Sequence, residues 1–259
     1  MKKVFTLAAA FALFASTQAF AIFGLGAHYV MNTGSLGSKI GDVDLGTTNT
    51  FGRNITVNQE SASGLQGLGF KLWIDFLPLV DIEGTLNVAA TRYRTSLTIP
   101  TGLNSDTTIW LNYTPDAPYS MIFGDASPIF GVVNGDLSVT YPFDLPIIRP
   151  YIGAGISYFA SIPVVNNDFA GKMLTQDLIL ALTSNDPDAA SRIGDALTET
   201  LEKESYTSGV GGHLIAGLRL KAPIIPAAIY ANGKYYFGGN TNSQFTQGFV
   251  LEVGGGFAL

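Results

Sequence analysis

Val80-Asp81-Ile82-Glu83-Gly84-Thr85-Leu86-Asn87-Val88-Ala89-Ala90 carries Val80, Ile82, Gly84, Leu86, Val88 and Ala90 at one parity and Asp81, Glu83, Thr85, Asn87 and Ala89 at the other. A helix would scatter those acids around its surface, whereas a strand gathers them on one face and the apolar set on the opposite one. The stretch is about as long as a tilted strand must be to cross a hydrocarbon layer, roughly 9–11 residues. The same period of two recurs in residues 23–31, 64–76, 131–143, 151–159, 210–221, 228–237 and 249–259. In 64–76, Leu68, Phe70, Leu72, Ile74 and Phe76 oppose Gly69, Lys71, Trp73 and Asp75. Eight such segments predict an all-β fold, an eight-stranded antiparallel transmembrane up-and-down β-barrel whose apolar face meets lipid.

Composition agrees with this reading. Of 259 residues 47% are apolar and only 13% charged, yet no uncharged run long enough for a membrane helix follows the N-terminal segment. A barrel resolves the contrast, because it pairs its backbone polar groups between strands and needs no long apolar run. Met1-Lys2-Lys3, the apolar run at 4–15 and Ala19-Phe20-Ala21 read as a secretory signal peptide over 1–21, leaving 22–259 as one barrel domain. Cysteine is absent, which excludes a disulfide framework, a thiolate metal site and a thiol nucleophile. The net charge of −6, about −8 without Lys2 and Lys3, argues against a nucleic-acid partner.

The connections alternate in length. Leu77-Pro78-Leu79 and residues 144–150 and 222–226 are short and carry proline, whereas about 33–63, 95–130 and 160–209 are long and polar, with a shorter fourth at 238–246. Long loops on alternate connections suit an outer-membrane barrel with loops outside and both termini periplasmic. In the third loop Asp186-Pro187 suits a helix start, residues 169–182 suit a second helix, and Ile193, Leu197 and Leu201 recur at helical spacing. Short helices are therefore expected there. Residues 168–204 hold eight acids against Lys172, Arg192 and Lys203. The apolar stripe either packs over the barrel rim or docks a surface partner.

An eight-stranded barrel is just wide enough inside for side chains to fill it. Parity places Lys71, Asp75, Asp81, Glu83, Asp136, Arg219, Lys221, Lys234 and Glu252 in that lumen. Similar heights above the turns pair Lys234 with Glu252 and Lys71 with Glu83, since a lone charge there would be costly. Such a set makes either a structural plug of ion pairs or a gate for a narrow pore. His28 and His213, the two histidines of the chain, point inward near the outer end. No spacing identifies a nucleophile for them, and two histidines make a weak metal site, so no catalytic residue, metal or cofactor is expected.

Gly24-Leu25-Gly26, Gly67-Leu68-Gly69 and Gly153-Ala154-Gly155 lie inside alternating strands and open no helix. They read as small inner residues of a narrow barrel, not as a dinucleotide cradle. Tyr29, Tyr93, Tyr141, Phe143, Tyr151, Tyr158 and Tyr235 fall near strand ends and read as rings at the membrane interface, while Trp73 points inward.

Arg149-Pro150-Tyr151-Ile152-Gly153-Ala154-Gly155-Ile156-Ser157-Tyr158, Gly217-Leu218-Arg219-Leu220 and Asn232-Gly233-Lys234-Tyr235-Tyr236-Phe237 resemble strands of small eight-stranded outer-membrane β-barrels, the OmpA transmembrane domain and OmpW-like proteins. The resemblance is architectural and concerns the barrel scaffold. It implies outer-membrane lipid and lipopolysaccharide as surroundings and the outer-membrane insertion machinery as a partner in assembly. Two functions stay open. One is a non-enzymatic barrel anchoring surface-exposed loops, for envelope structure or for binding a surface ligand through the third long loop. The other is a narrow channel or an OmpW-like carrier for small, hydrophobic molecules. A soluble secreted barrel would invert the faces and put Phe70, Leu72 and Ile74 inside.

Overall fold

Eight long strands carry the alternating segments: β1 (Gly24–Leu36), β4 (Ala62–Ile74), β5 (Asp81–Arg92), β8 (Ile129–Pro142), β9 (Ile148–Ser161), β10 (Thr207–Lys221), β11 (Ala227–Gly238) and β13 (Phe249–Ala258). The computed structural model describes residues 23–43, 53–75, 79–101, 105–111, 127–143, 145, 147–175, 177–178, 188–204, 206–221, 226–239 and 241–258. Each long strand pairs antiparallel with the next, and β1 pairs with both β13 and β4, so the sheet closes on itself. Closure leaves no sheet edge, which is what a strand protein in lipid requires. The proposed leader, residues 1–21, lies outside the described residues, as do most residues of the proline-bearing turns.

The faces follow the alternation. In β1, burial and exposure alternate strictly from Gly24 to Leu36. Leu68 is 69% exposed and Phe70 64%, while Lys71, Glu83, Arg219, Lys234 and Glu252 are at 0%. This is the reverse of a soluble barrel, in which Phe70 would line the core. Two rings of exposed aromatic residues bound the apolar belt. Tyr29, Tyr158, Tyr235 and Phe237 stand toward the long-loop end, and Phe23, Tyr141, Phe143 and Phe257 toward the short-turn end.

Two of the expected interfacial rings lie elsewhere. Tyr93 and Tyr151 are buried. Tyr151 shares the inward parity of Arg149, so its place near a strand end does not bring it to the surface. Tyr93 folds into the cap described next, where its hydroxyl accepts the Val165 N–H at 2.7 Å. Burial pushes its phenol well above the usual range.

The segments expected as long polar loops fold over the barrel mouth at the long-loop end. β2 (Lys39–Asp42) and β3 (Thr56–Gln59) come from the first, β6 (Thr95–Pro100) and β7 (Asp106–Trp110) from the second, and they form one sheet in the order β2-β3-β6-β7. The third loop supplies α1 (Asn167–Met173) and α2 (Ala189–Lys203). Asn166 caps α1 by accepting from the Asp168 and Phe169 N–H groups, and its Nδ2 donates to Gln244 of the fourth loop at 2.9 Å. α2 begins at Ala189, later than the Asp186-Pro187 start expected; those two residues lie outside the described ones. β12 (Phe245–Thr246) pairs with the top of β1.

Val57, Leu97, Ile99, Phe169, Met173 and Ile193 are buried in one apolar core. The core continues down into the barrel mouth through Val30, Leu65, Phe130, Val132, Phe159 and Val250. Lys39 to Asp168 at 2.9 Å and Arg53 to Asp106 at 2.6 Å tie the loops together outside it.

Candidate functional site

Below this apolar stopper the lumen holds buried charge, which is stable only if paired and hydrogen-bonded. Nearest the short turns, Arg219 Nη1 lies 3.0 Å from Asp75 Oδ1, and its Nη2 lies 2.7 Å from Glu83 Oε1. Arg149 Nη1 reaches Asp75 at 2.9 Å and Asp81 at 3.1 Å. The Arg219 guanidinium sits over the Trp73 ring at 4.8 Å, a cation–π contact that holds it without another charge.

One layer up, Lys71 Nζ is 2.6 Å from Glu83 Oε2 and donates to the Tyr151 hydroxyl at 2.8 Å. Tyr151 in turn donates to Asn232 Oδ1. The register sets Asn232 directly opposite Glu252, and its Nδ2 donates to Glu252 Oε2 at 2.9 Å. Lys234 Nζ then bridges Glu252 Oε1 and Asp136 Oδ2, both at 2.7 Å, while Tyr236 donates to Asp136 at 2.8 Å. A continuous ladder therefore runs from Asp75 to Asp136.

The histidines brace its upper end. Asn87 Oδ1 can only accept, so His28 carries its proton on Nε2 at 2.6 Å and accepts from the Tyr230 hydroxyl on Nδ1 at 3.0 Å. His213 lies between Ser138, 2.8 Å from Nε2, and Ser157, 2.7 Å from Nδ1. A hydrolytic triad would place a carboxylate at the second nitrogen, and here a serine stands there. All three side chains are buried. Among the described residues no group of three or more His, Asp or Glu is arranged to hold a metal ion.

The glycine pairs seat the inward rings. A Cβ at Gly24 would stand 2.0 Å from the Trp73 ring, one at Gly26 2.8 Å from Tyr230, and one at Gly155 2.5 Å from His213. Small residues on one strand thus make room for large ones across a narrow barrel.

Of the residues expected in the lumen, Lys71, Asp75, Asp81, Glu83, Asp136, Arg219, Lys234, Glu252, His28 and His213 are all buried there. The Lys221 side chain lies outside the described residues. Arg149 is an inward base that the sequence reading omits, because Pro150 beside it suggests a turn; its parity with Tyr151 and Gly153 is the signal that finds it. On α2, Ile193 and Leu197 are buried in the cap core, and the Leu201 side chain lies outside the described residues.

No known protein family matches the chain by sequence, and no curated protein does. Among solved structures it is similar to the outer membrane protein OprG of Pseudomonas aeruginosa, at 12% identity and a TM-score of 0.40 over 91% of this chain and 94% of that one. It is also similar to Neisserial surface protein A, at 11% identity and a TM-score of 0.43 over 92% and 97%. A third is Ail, the attachment invasion locus protein of Yersinia pestis, in complex with the heparin analogue sucrose octasulfate, at 9% identity and a TM-score of 0.38 over 90% and 97%.

Proposed function

We propose that this chain is a non-enzymatic outer-membrane β-barrel that anchors a folded surface cap, with a lumen that serves as a plug. The observation that carries this reading is the buried ladder from Asp75 to Asp136 under the apolar cap core. A solute would have to part the ion pairs and then the core. The belt supports the membrane placement: from Val133 to Phe143, at ordinary strand rise and barrel tilt, it stands about 25 Å tall, the height of the apolar band of such barrels. Export by the leader at 1–21, periplasmic termini, lipopolysaccharide around the outer belt and assembly by the insertion machinery belong to the same proposal. So does a surface ligand met through the third loop, in an envelope or adhesion role.

Full-length protein refolded into planar bilayers is expected to give no channel conductance, with or without Lys234→Ala. Steady channels from the wild type would overturn the plug, and channels from the variant alone would make Lys234 a gate. Detergent-free solubility of the folded protein would remove the membrane placement.

A second reading, carriage of a small apolar solute, draws on a furrow of about 550 Å³ at Gly84 and Gly135, lined by Leu25, Phe70, Leu86 and Ile156. Uptake of such a solute by proteoliposomes, abolished by Gly135→Leu, would favour it over the anchor.

A further inference from the structure

We propose that a furrow in the outward-facing wall of the barrel holds one acyl chain of a membrane phospholipid and retains it longer than the lipid around it. The inference rests on the membrane placement above and names an occupant for the furrow on which the carriage reading draws. Gly84 stands between Leu72 and Leu137 in one cross-strand row, and Gly135 between Leu86 and Tyr158 in the next. The two glycines form the floor and the four large side chains the walls of a space of about 550 Å³.

Packing within the barrel does not require glycine at either position. Among the described residues, a Cβ at Gly135 would meet no atom within 4 Å, and one at Gly84 only the Asp136 carbonyl at 4.0 Å. Those at Gly24 and Gly155 would instead collide with the rings they face. Neither Gly84 nor Gly135 has a positive φ. Glycine inside a strand weakens it, and it often marks a place where a ligand approaches the backbone closely. Here the missing side chains leave room on the outward face alone.

The lining is apolar almost throughout. Lys71 and Asp136 border the furrow along the chain, but their side chains are buried in the lumen, where they pair with Glu83 and Lys234. A channel of this kind suits hydrocarbon and offers no charge to a headgroup. From Leu25, near the short-turn end of β1, to Val210, near the long-loop end of β10, the furrow climbs the belt, in the direction along which acyl chains lie in a bilayer. It is continuous with the exposed apolar belt, so a chain enters it from the surrounding lipid without leaving hydrocarbon. A second copy fits less well, because a two-fold contact pairs a patch with itself and sets furrow against furrow.

Full-length protein is refolded into phosphatidylethanolamine and phosphatidylglycerol vesicles that contain a small share of phosphatidylethanolamine with a diazirine in mid-chain. After illumination, adducts are mapped by mass spectrometry of peptides, with heat-modifiable migration as the folding control. Adducts at Leu72, Leu86 and Leu137 are expected to exceed several-fold those at Ile229, Phe249 and Val253, which are exposed on the opposite side of the barrel. Gly84→Leu combined with Gly135→Leu, which fills the furrow, should bring the two sets level. Ala231→Leu, which adds bulk on the opposite side, should keep the excess. Even labelling around the wild-type belt would overturn the proposal, and so would an excess that survives the double replacement. Furrow residues labelled less than the opposite side would place a protein there and overturn it equally. Folded protein with no adduct anywhere on the belt would instead sink the membrane placement, and this proposal with it.

Discussion

Lys234 shows what a single residue does in this lumen. Its ammonium is fully buried and pairs with Asp136 and Glu252 at once, so its removal takes the shared cation from between two carboxylates. Lys234→Ala is expected to lower stability by about 3–5 kcal/mol, the usual cost of breaking a buried pair from one side, read as the urea midpoint of the loss of heat-modifiable migration. Gly24→Ala acts by volume, because a methyl there collides with the Trp73 ring. An overpacking loss of about 1–3 kcal/mol is expected in the same assay. Tyr93 makes a pH prediction. Its proton is bound more tightly in the folded cap than in the unfolded chain, so cap stability should fall as pH rises past the ordinary phenol value of 10.0. Limited proteolysis of the cap between pH 9 and 11 should show that fall in the wild type and a shallower one in Tyr93→Phe.

At the scale of elements, the cap and the barrel are held by different physics. β3 and β6 meet by sheet pairing, with Val57 opposite Leu97, and the cap sheet and helices then share an apolar core. Leu97→Ala should cost about 2–5 kcal/mol of cap stability and raise protease cleavage in the cap while the barrel still migrates as folded. Arg53→Ala, which removes a half-exposed pair with Asp106, should cost no more than about 1 kcal/mol by the same measure. The elements also show where sequence reading stops. The barrel strands announce themselves by period, because each has one exposed apolar face and one face in the lumen. β2, β3, β6 and β7 are four to six residues long, too short for a period to stand out, and the pairing that joins them into one sheet, β3 with β6, links two different loops.

For the whole molecule, the barrel closes through the pairing of its eight long strands, β1 meeting both β4 and β13. β9 and β10 remain paired up to Ser161 opposite Thr207, so replacing residues 162–206 with a short Gly/Ser linker should leave a heat-modifiable barrel. That variant should lose the cap core and become sensitive to protease at the first and second loops. If it failed to fold at all, the third loop would be part of the folding unit and not a lid on it.

The two-residue repeat of a strand sends alternate side chains to opposite faces wherever the strand ends up, so the sequence alone determined the eight strands, their faces and most of the inward charges, Arg149 being the one it left out. Pairing heights even foresaw Lys71 beside Glu83, since those strands are joined by a short turn. Only the tertiary structure decided the contacts across the lumen, because they depend on closure and stagger. Arg219 meets Asp75, Lys234 meets Asp136, and His213 lies between Ser138 and Ser157. The cap is decided at the same level, for its core gathers single apolar residues from otherwise polar loops, and no one loop could bury them by itself.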